Sequence, residues 1–279
     1  MSFTNWLFNL INHYLTKEKS KSPSYLCDFD RICHETRLAD VLLIEGKNRI
    51  SRAIQRITHS PWTHAVLYIG RLHNIEDPHL RENIHRHYQG KLNEQLIIES
   101  IIGKGTIISP ITLYKNDHIR ICRPTGLSYQ DAQQVIAQAI NSLGRQYNLR
   151  QVFDLARFLL KSRFLPMRWR SSLFEITKSN QASRDICSAV IADAFASIKF
   201  PILPLIRETQ QKKLEIIPRN IKLFTPSDFD YSPYFDIIKY PIFSFSKLSP
   251  YRELPWNEKL ISNDDLGITR QPPSDESSS

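Results

Sequence analysis

Between Ile186 and Ile198 the chain is apolar on almost every side and rich in alanine. A helix without a polar face belongs at the centre of a domain, and its small side chains let neighbouring elements approach closely. This segment, with Cys187 in its first turn, is therefore predicted as a central helix around which the rest of the fold must be built. A cysteine at a helix N-terminus can have a depressed pKa, because the free N–H groups there favour an anion. Far upstream, Trp62 to Gly70 reads as an apolar strand with His64 at its head. In it His64, Val66 and Tyr68 share one face, while Ala65, Leu67 and Ile69 share the other. An imidazole brought beside Cys187 would complete a thiolate nucleophile.

The remaining elements follow from period and punctuation. Asp40 to Glu45 reads as a short buried strand ended by Gly46, and Asn48 to Thr58 as a helix. Residues 71–94 are polar and histidine-rich, with His73, His79, His85 and His87, and read as a surface loop inserted between strands. Gln95 to Ser100, Thr106 to Ile111 and Asp117 to Cys122 are further strands, the last stopped by Arg123-Pro124. Ser128 to Leu143 carries a capping-box pattern at Ser128 and Asp131, a buried stripe from Ala132 to Leu143, and Gly144 as its stop. Strands, then a helix, then the central helix describe an α+β domain rather than a doubly wound sheet.

Residues 1–36 read as an arm: an amphipathic helix over Phe3 to Leu15, followed by a Lys/Ser/Pro linker. Residues 37–235 form the main domain, and 236–279 a C-terminal extension whose end is a disordered tail. The amphipathic helix can pack on the domain or lie at a membrane interface.

Composition excludes more than it selects. With 8 glycines the chain has no G-x-G-x-x-G or Walker-type loop, so nucleotide chemistry is not expected. The net charge of +9 favours anionic partners, but without zinc-finger spacing or a long basic run no nucleic acid is expected. An anionic membrane surface, met through the N-terminal helix and basic patches, is the expected partner. The stretch Lys161 to Arg170, interleaved with Phe164 and Trp169, reads either as an anion contact or as a solvated flank. No run reaches the roughly 18 apolar residues that span a bilayer, and the N-terminus lacks a secretory pattern. A cytoplasmic or peripheral-membrane location follows as the expectation.

The four cysteines, Cys27, Cys33, Cys122 and Cys187, are not spaced as a disulfide framework. Cys27 and Cys33 are near enough to pair or, with His34, to hint at a metal. His85 and His87 raise a similar metal reading within the insert. Neither spacing is diagnostic, and no metal or cofactor is expected.

A nucleophilic cysteine needs a base, and the base needs an orienting group. Glu99, the charged residue near the end of the apolar strand after that of His64, is the candidate orienter. Taken singly, each residue has a plain structural reading: a buried small hydrophobe, an edge histidine, a solvent-facing glutamate. Their joint placement is what favours chemistry.

In order along the chain, THAVLYIG, IIES, CRP, GRQYN, ICSAVIADAF and TPSDF resemble the YiiX/YebB-like branch of the NlpC-type cysteine hydrolases. The resemblance runs from about Leu38 to Phe229. It implies a circularly permuted papain-like fold in which histidine precedes cysteine, with an antiparallel sheet packed on a central cysteine-bearing helix. It also implies Cys187 as nucleophile, His64 as base and Glu99 as orienting residue. Tyr147 matches a tyrosine lining the cleft of relatives, and Trp62 is placed with it at the substrate. The expected activity is thiol-dependent hydrolysis or acyl transfer through an acyl-enzyme, on an amide, ester or thioester of a lipid, peptide or other small molecule. The alternative is a binding module that keeps the fold without the chemistry.

Overall fold

The hydrophobic residues of the strands are buried on both sides of one sheet. In the computed structural model, which describes residues 28–46, 49–91, 93–101, 104–145, 187–208 and 213–238, six antiparallel strands run in the order β4-β3-β2-β1-β5-β8. They are β1 Val41–Ile44, β2 His64–Gly70, β3 Leu96–Ile101, β4 Gly105–Pro110, β5 Ile119–Pro124 and β8 Phe235–Ile238. A separate hairpin pairs β6 Leu205–Glu208 with β7 Leu214–Ile217. The helices are α1 Phe29–Glu35, α2 Arg49–Thr58, α3 Pro78–His87, α4 Tyr129–Ile140, α5 Cys187–Ser197 and α6 Pro226–Tyr231.

Ala65, Leu67 and Ile69 of β2 join one hydrophobic cluster with Leu43, Leu96, Ile98 and the buried stripes of α4 and α5. Val66 and Tyr68 join a second cluster with Leu42, Ile44, Ile97 and Ile32 of α1. The sequence alternation therefore marks the two faces, although neither faces water. That is why β1 is buried at every position. Within the larger cluster, Phe195 of α5 meets Phe200 and Phe235 at ring-centroid distances of 5.2 and 5.4 Å. Such tilted and edge contacts add about 0.5–1.5 kcal/mol each beyond the area they bury. They fix the far end of α5, and with it the direction of its N-terminus.

Helix α4 begins as its sequence dictates, with the Ser128 hydroxyl accepting from the Asp131 N–H at 3.0 Å. Gly144 follows at φ +78°, where a left-handed residue closes the turn. Gly70 ends β2 at φ +81°, and a Cβ there would lie 2.6 Å from Leu38 Cδ2. That position tolerates only glycine.

Several elements depart from the sequence reading. The histidine-rich insert holds a ten-residue helix, α3, capped by Asp77 with Pro78 in its first turn and with Ile84 fully buried. The Asp-Pro start was a helix signal that the polar composition obscured. Helix α1 lies in what reads as linker, and its Ile32 is 0% exposed in the second core cluster. Strand β5 continues through Pro124, because β8 supplies an antiparallel partner, Phe235 opposite Pro124. Pro124 is compatible with that pairing near the strand end.

Buried charge ties α1, β1 and β5 together. The Asp40 carboxylate accepts from Arg123 Nε and Nη2 at 3.1 and 2.9 Å and from the Arg37 N–H at 2.7 Å. Arg123 Nη2 also reaches the Glu35 carbonyl at 2.6 Å. Burial pushes the Asp40 carboxyl above its ordinary value, against the pull of Arg123.

Candidate active site

His64 is the first residue of β2, opposite Ile44 on β1, with Thr63 N–H bonded to the Ile44 carbonyl at 3.1 Å. On the other side, β2 and β3 pair at Leu67 with Ile98. Extending that register by one step sets Glu99 beside Val66 and diagonal to His64 on the same face. A diagonal neighbour lies within reach of a long side chain. His64 Nε2 and Glu99 Oε2 meet at 2.9 Å. The glutamate side chain is 0% exposed and the imidazole 20%.

Helix α5 packs against β2 and β3 and brings Cys187, its first residue, to the imidazole. The thiol and His64 share a hydrogen bond, and with Nε2 committed to Glu99 the nitrogen left for sulfur is Nδ1. The sulfur also accepts from the backbone N–H groups of Ala65 and Ser188. The Ser188 hydroxyl donates to the Phe224 carbonyl at 2.6 Å, which locks the first turn of the helix against the segment before α6.

The electrostatics agree with this geometry. Burial alone would raise the Cys187 pKa, yet the imidazolium charge and the hydrogen bonds from His64, Ala65 and Ser188 outweigh it and hold the thiol below its ordinary value. Burial alone would lower His64, yet the Cys187 thiolate and the Glu99 carboxylate raise it. Glu99 would likewise rise on burial, but His64, Ser109 and Tyr114 hold it below the usual carboxylate value. These directions favour a thiolate–imidazolium pair backed by a carboxylate. The other described cysteines differ: burial pushes Cys33 up to about 11 and raises Cys122 further.

Three sequence candidates thus meet in space: Cys187, His64 and Glu99. Trp62 does not join them as a substrate contact. Its ring is 1% exposed, its Nε1–H donates to Asp230 Oδ2 at 3.2 Å, and the Arg120 guanidinium lies 4.7 Å from its centroid. Arg120 in turn grips Asp230 at 2.7 and 2.9 Å, so the indole is a buried anchor between β5 and α6. An indole that satisfies its N–H inside the core is stable there. Tyr147, the Lys161 to Arg170 stretch, Cys27 and the N-terminal amphipathic helix lie outside the described residues.

One residue of the site escaped the sequence reading. Tyr114 ends the short 3-10 turn Ile111–Tyr114 and donates its hydroxyl to Glu99 Oε2 at 2.5 Å. Its ring stands 6.1 Å from that of His64. Nothing in its local sequence, a tyrosine between Leu113 and Lys115, distinguishes it from a surface aromatic. Among the described residues, no group of three or more His, Cys, Asp or Glu side chains could hold a metal. Nor is any helix among them long and apolar enough to cross a membrane.

Residues 36–157 match the family model of permuted papain-like amidases of the YaeF/YiiX type, the C92 peptidase family. The match spans β1 to α4 and includes His64, Glu99 and Tyr114; it ends before Cys187. Over residues 36–157 the chain is thus similar to the permuted papain-like amidases, and its antiparallel sheet with packed helices is consistent with an α+β fold of that kind. Among solved structures it is similar to one described as the metalloprotein YiiX from Escherichia coli O157:H7. That likeness has 13% identity and a TM-score of 0.45, and covers 74% of this chain and 98% of the other. A comparison with curated proteins gives no match.

Proposed function

We propose that this protein is a thiol hydrolase or acyltransferase in which Cys187 is the nucleophile, His64 the general acid and base, and Glu99 the group that orients the imidazole. The observation that carries the reading is the hydrogen-bonded chain from the Cys187 thiol through His64 to Glu99 Oε2, which holds this thiol alone among the described cysteines below its ordinary pKa. The Cys187 thiolate adds to a carbonyl carbon of an amide, ester or thioester. The Nδ1 proton of His64 passes to the leaving nitrogen, oxygen or sulfur as that bond breaks. Water, or an acceptor hydroxyl or amine, then gives its proton to His64 and attacks the acyl-enzyme, which restores the thiolate–imidazolium pair. N–H groups at the start of α5 suit the oxyanion of each tetrahedral intermediate.

The test is turnover by the whole chain on amide, ester and thioester libraries, with trapping of the acyl group. An acyl adduct on Cys187, and its loss in Cys187→Ala, is the expected result. Turnover that survives Cys187→Ala unchanged would sink the proposal and leave a binding module.

Two observations favour a lipid over a peptide as the bond's source. An apolar cavity of about 510 Å³ lies along α5, lined by Ala192, Ala196, Ile202, Leu203, Ile221 and Phe224. Phe224 is also the residue whose carbonyl accepts from Ser188, next to the nucleophile. Beside the cavity, the β6–β7 hairpin exposes Leu205, Ile206, Leu214 and Ile216 at 58–74%. Exposed aliphatics on a chain of net charge +9 suit an anionic bilayer surface. Ile206→Asp with Leu214→Asp should lower sedimentation with phosphatidylserine vesicles severalfold. Equal sedimentation of the double variant and the unaltered protein would remove the hairpin as the contact.

A further inference from the structure

The carboxylate of Glu99 is held unevenly. Both of its close donors, the His64 ring and the Tyr114 hydroxyl, converge on Oε2 at 2.9 and 2.5 Å. Oε1 is buried and has no hydrogen-bond partner. The Ser109 hydroxyl also bears on the carboxylate and helps hold its charge. A carboxylate oxygen held by a single donor can still swing about its terminal torsion, which is broad and roughly two-fold. The tyrosine hydroxyl is the second fixed point that prevents it.

We infer that Tyr114 is a positioning residue of this site: its hydroxyl fixes the Glu99 rotamer and keeps Glu99 ionised, so that Glu99 in turn orients His64 toward Cys187. The inference rests on the triad reading proposed above and adds a fourth member to it. Tyr114 suits the role. It comes from the turn after β4, an element different from those bearing His64 and Cys187, so it holds Glu99 independently of them. Burial and the Glu99 charge raise its own pKa strongly, so it remains a donor across the range in which the site operates. The other titratable groups that bear on this cluster are Cys187 from α5 and Asp117, just after the Tyr114 turn.

A carboxylate that loses a hydrogen-bond donor binds its proton more readily. Removing the Tyr114 hydroxyl therefore lets Glu99 protonate at higher pH, and the thiolate–imidazolium pair loses its backing earlier on acidification. The experiment is alkylation of Cys187 by iodoacetamide across pH, read by peptide mass spectrometry, in the full chain and in Tyr114→Phe. It needs no substrate. The acid limb of the Cys187 rate should move up by about one pH unit in Tyr114→Phe, with the melting temperature little changed. The rate at neutral pH should fall by roughly threefold to tenfold.

A limb that stays in place while the rate falls would mean that the tyrosine only packs, and would overturn the inference. The second measurement is a cycle with Glu99→Gln. In that background Tyr114→Phe should move the limb no further, whereas an additive shift would show that Tyr114 does not act through Glu99. The two readings fail differently. If Cys187 of the unaltered protein alkylates no faster than Cys33 and Cys122, the triad falls. If it alkylates faster and the limb ignores Tyr114→Phe, only this inference falls.

Discussion

Cys122 and Cys187 are both buried, at 0% and 5% exposure, and the same desolvation acts on both thiols, yet their pKa values move in opposite directions. Cys122 lies within β5, paired with Val41 and enclosed by the core. The largest charge effect on it is that of Asp230, which adds to the burial penalty. Cys187 lies at the first turn of a helix, where an imidazole and two backbone N–H groups converge on its sulfur. Burial does not decide whether a cysteine is inert. The charge and the donors that arrive with the burial decide it.

The sharpest way to break this contrast is to remove the imidazole. In His64→Ala, Cys187 keeps its burial and loses its cation, so its environment approaches that of Cys122. Activity should fall by roughly 10²–10⁴-fold. The pH profile of Cys187 alkylation should also change in kind. In the unaltered protein it turns on below the ordinary thiol range, because the Cys187 pKa is lowered. In His64→Ala it should turn on only above the ordinary thiol pKa. Measured rates that keep the original profile would show that the helix terminus alone activates the thiol.

Glu99→Gln tests the next link. The amide can still accept from Nε2 but carries no charge, so His64 should lose part of its elevation and the alkaline limb should move down. A fall in kcat on the order of tenfold to a hundredfold is expected, smaller than for His64→Ala. Steady-state kinetics across pH would check it. Retention of the original alkaline limb would mean that Glu99 does not set the imidazole's basicity.

The smallest effect belongs to the other cysteine. Cys122→Ala removes a small buried side chain from the core and touches no group of the site, so it should cost about 1 kcal/mol of stability and leave kcat unchanged. Denaturant unfolding and turnover measured side by side would check both halves. A large loss of turnover would erase the distinction between the two thiols.

Local sequence signals carried much of this molecule. The alternation in β2, the capping pattern at Ser128 and the all-round apolar character of α5 each reflect contacts within a few residues, so they can be read without the fold. The Asp77-Pro78 start of α3 was equally local but was outweighed by the polar histidines around it. Strand β8 and the continuation of β5 through Pro124 could not be read, because a strand's extent depends on a partner more than a hundred residues away. Trp62 shows the same limit: its sequence neighbour is His64, while its actual partners are Arg120 and Asp230.

By itself the sequence determined which residue types were available for chemistry: a cysteine opening a central helix, a histidine opening a strand, a glutamate near the end of the next. These are positions along elements, and elements form from short-range periodicity. The tertiary structure decided which of them touch. A diagonal across two strands brings Glu99 to His64, the packing of α5 on β2 and β3 brings Cys187 to the same ring, and a short turn adds Tyr114. The physical reason is the range of the forces. Capping and periodicity act over a turn or two of chain, whereas a hydrogen bond 2.5 Å long between Tyr114 and Glu99 exists only after β3, β4 and the following turn have closed around it.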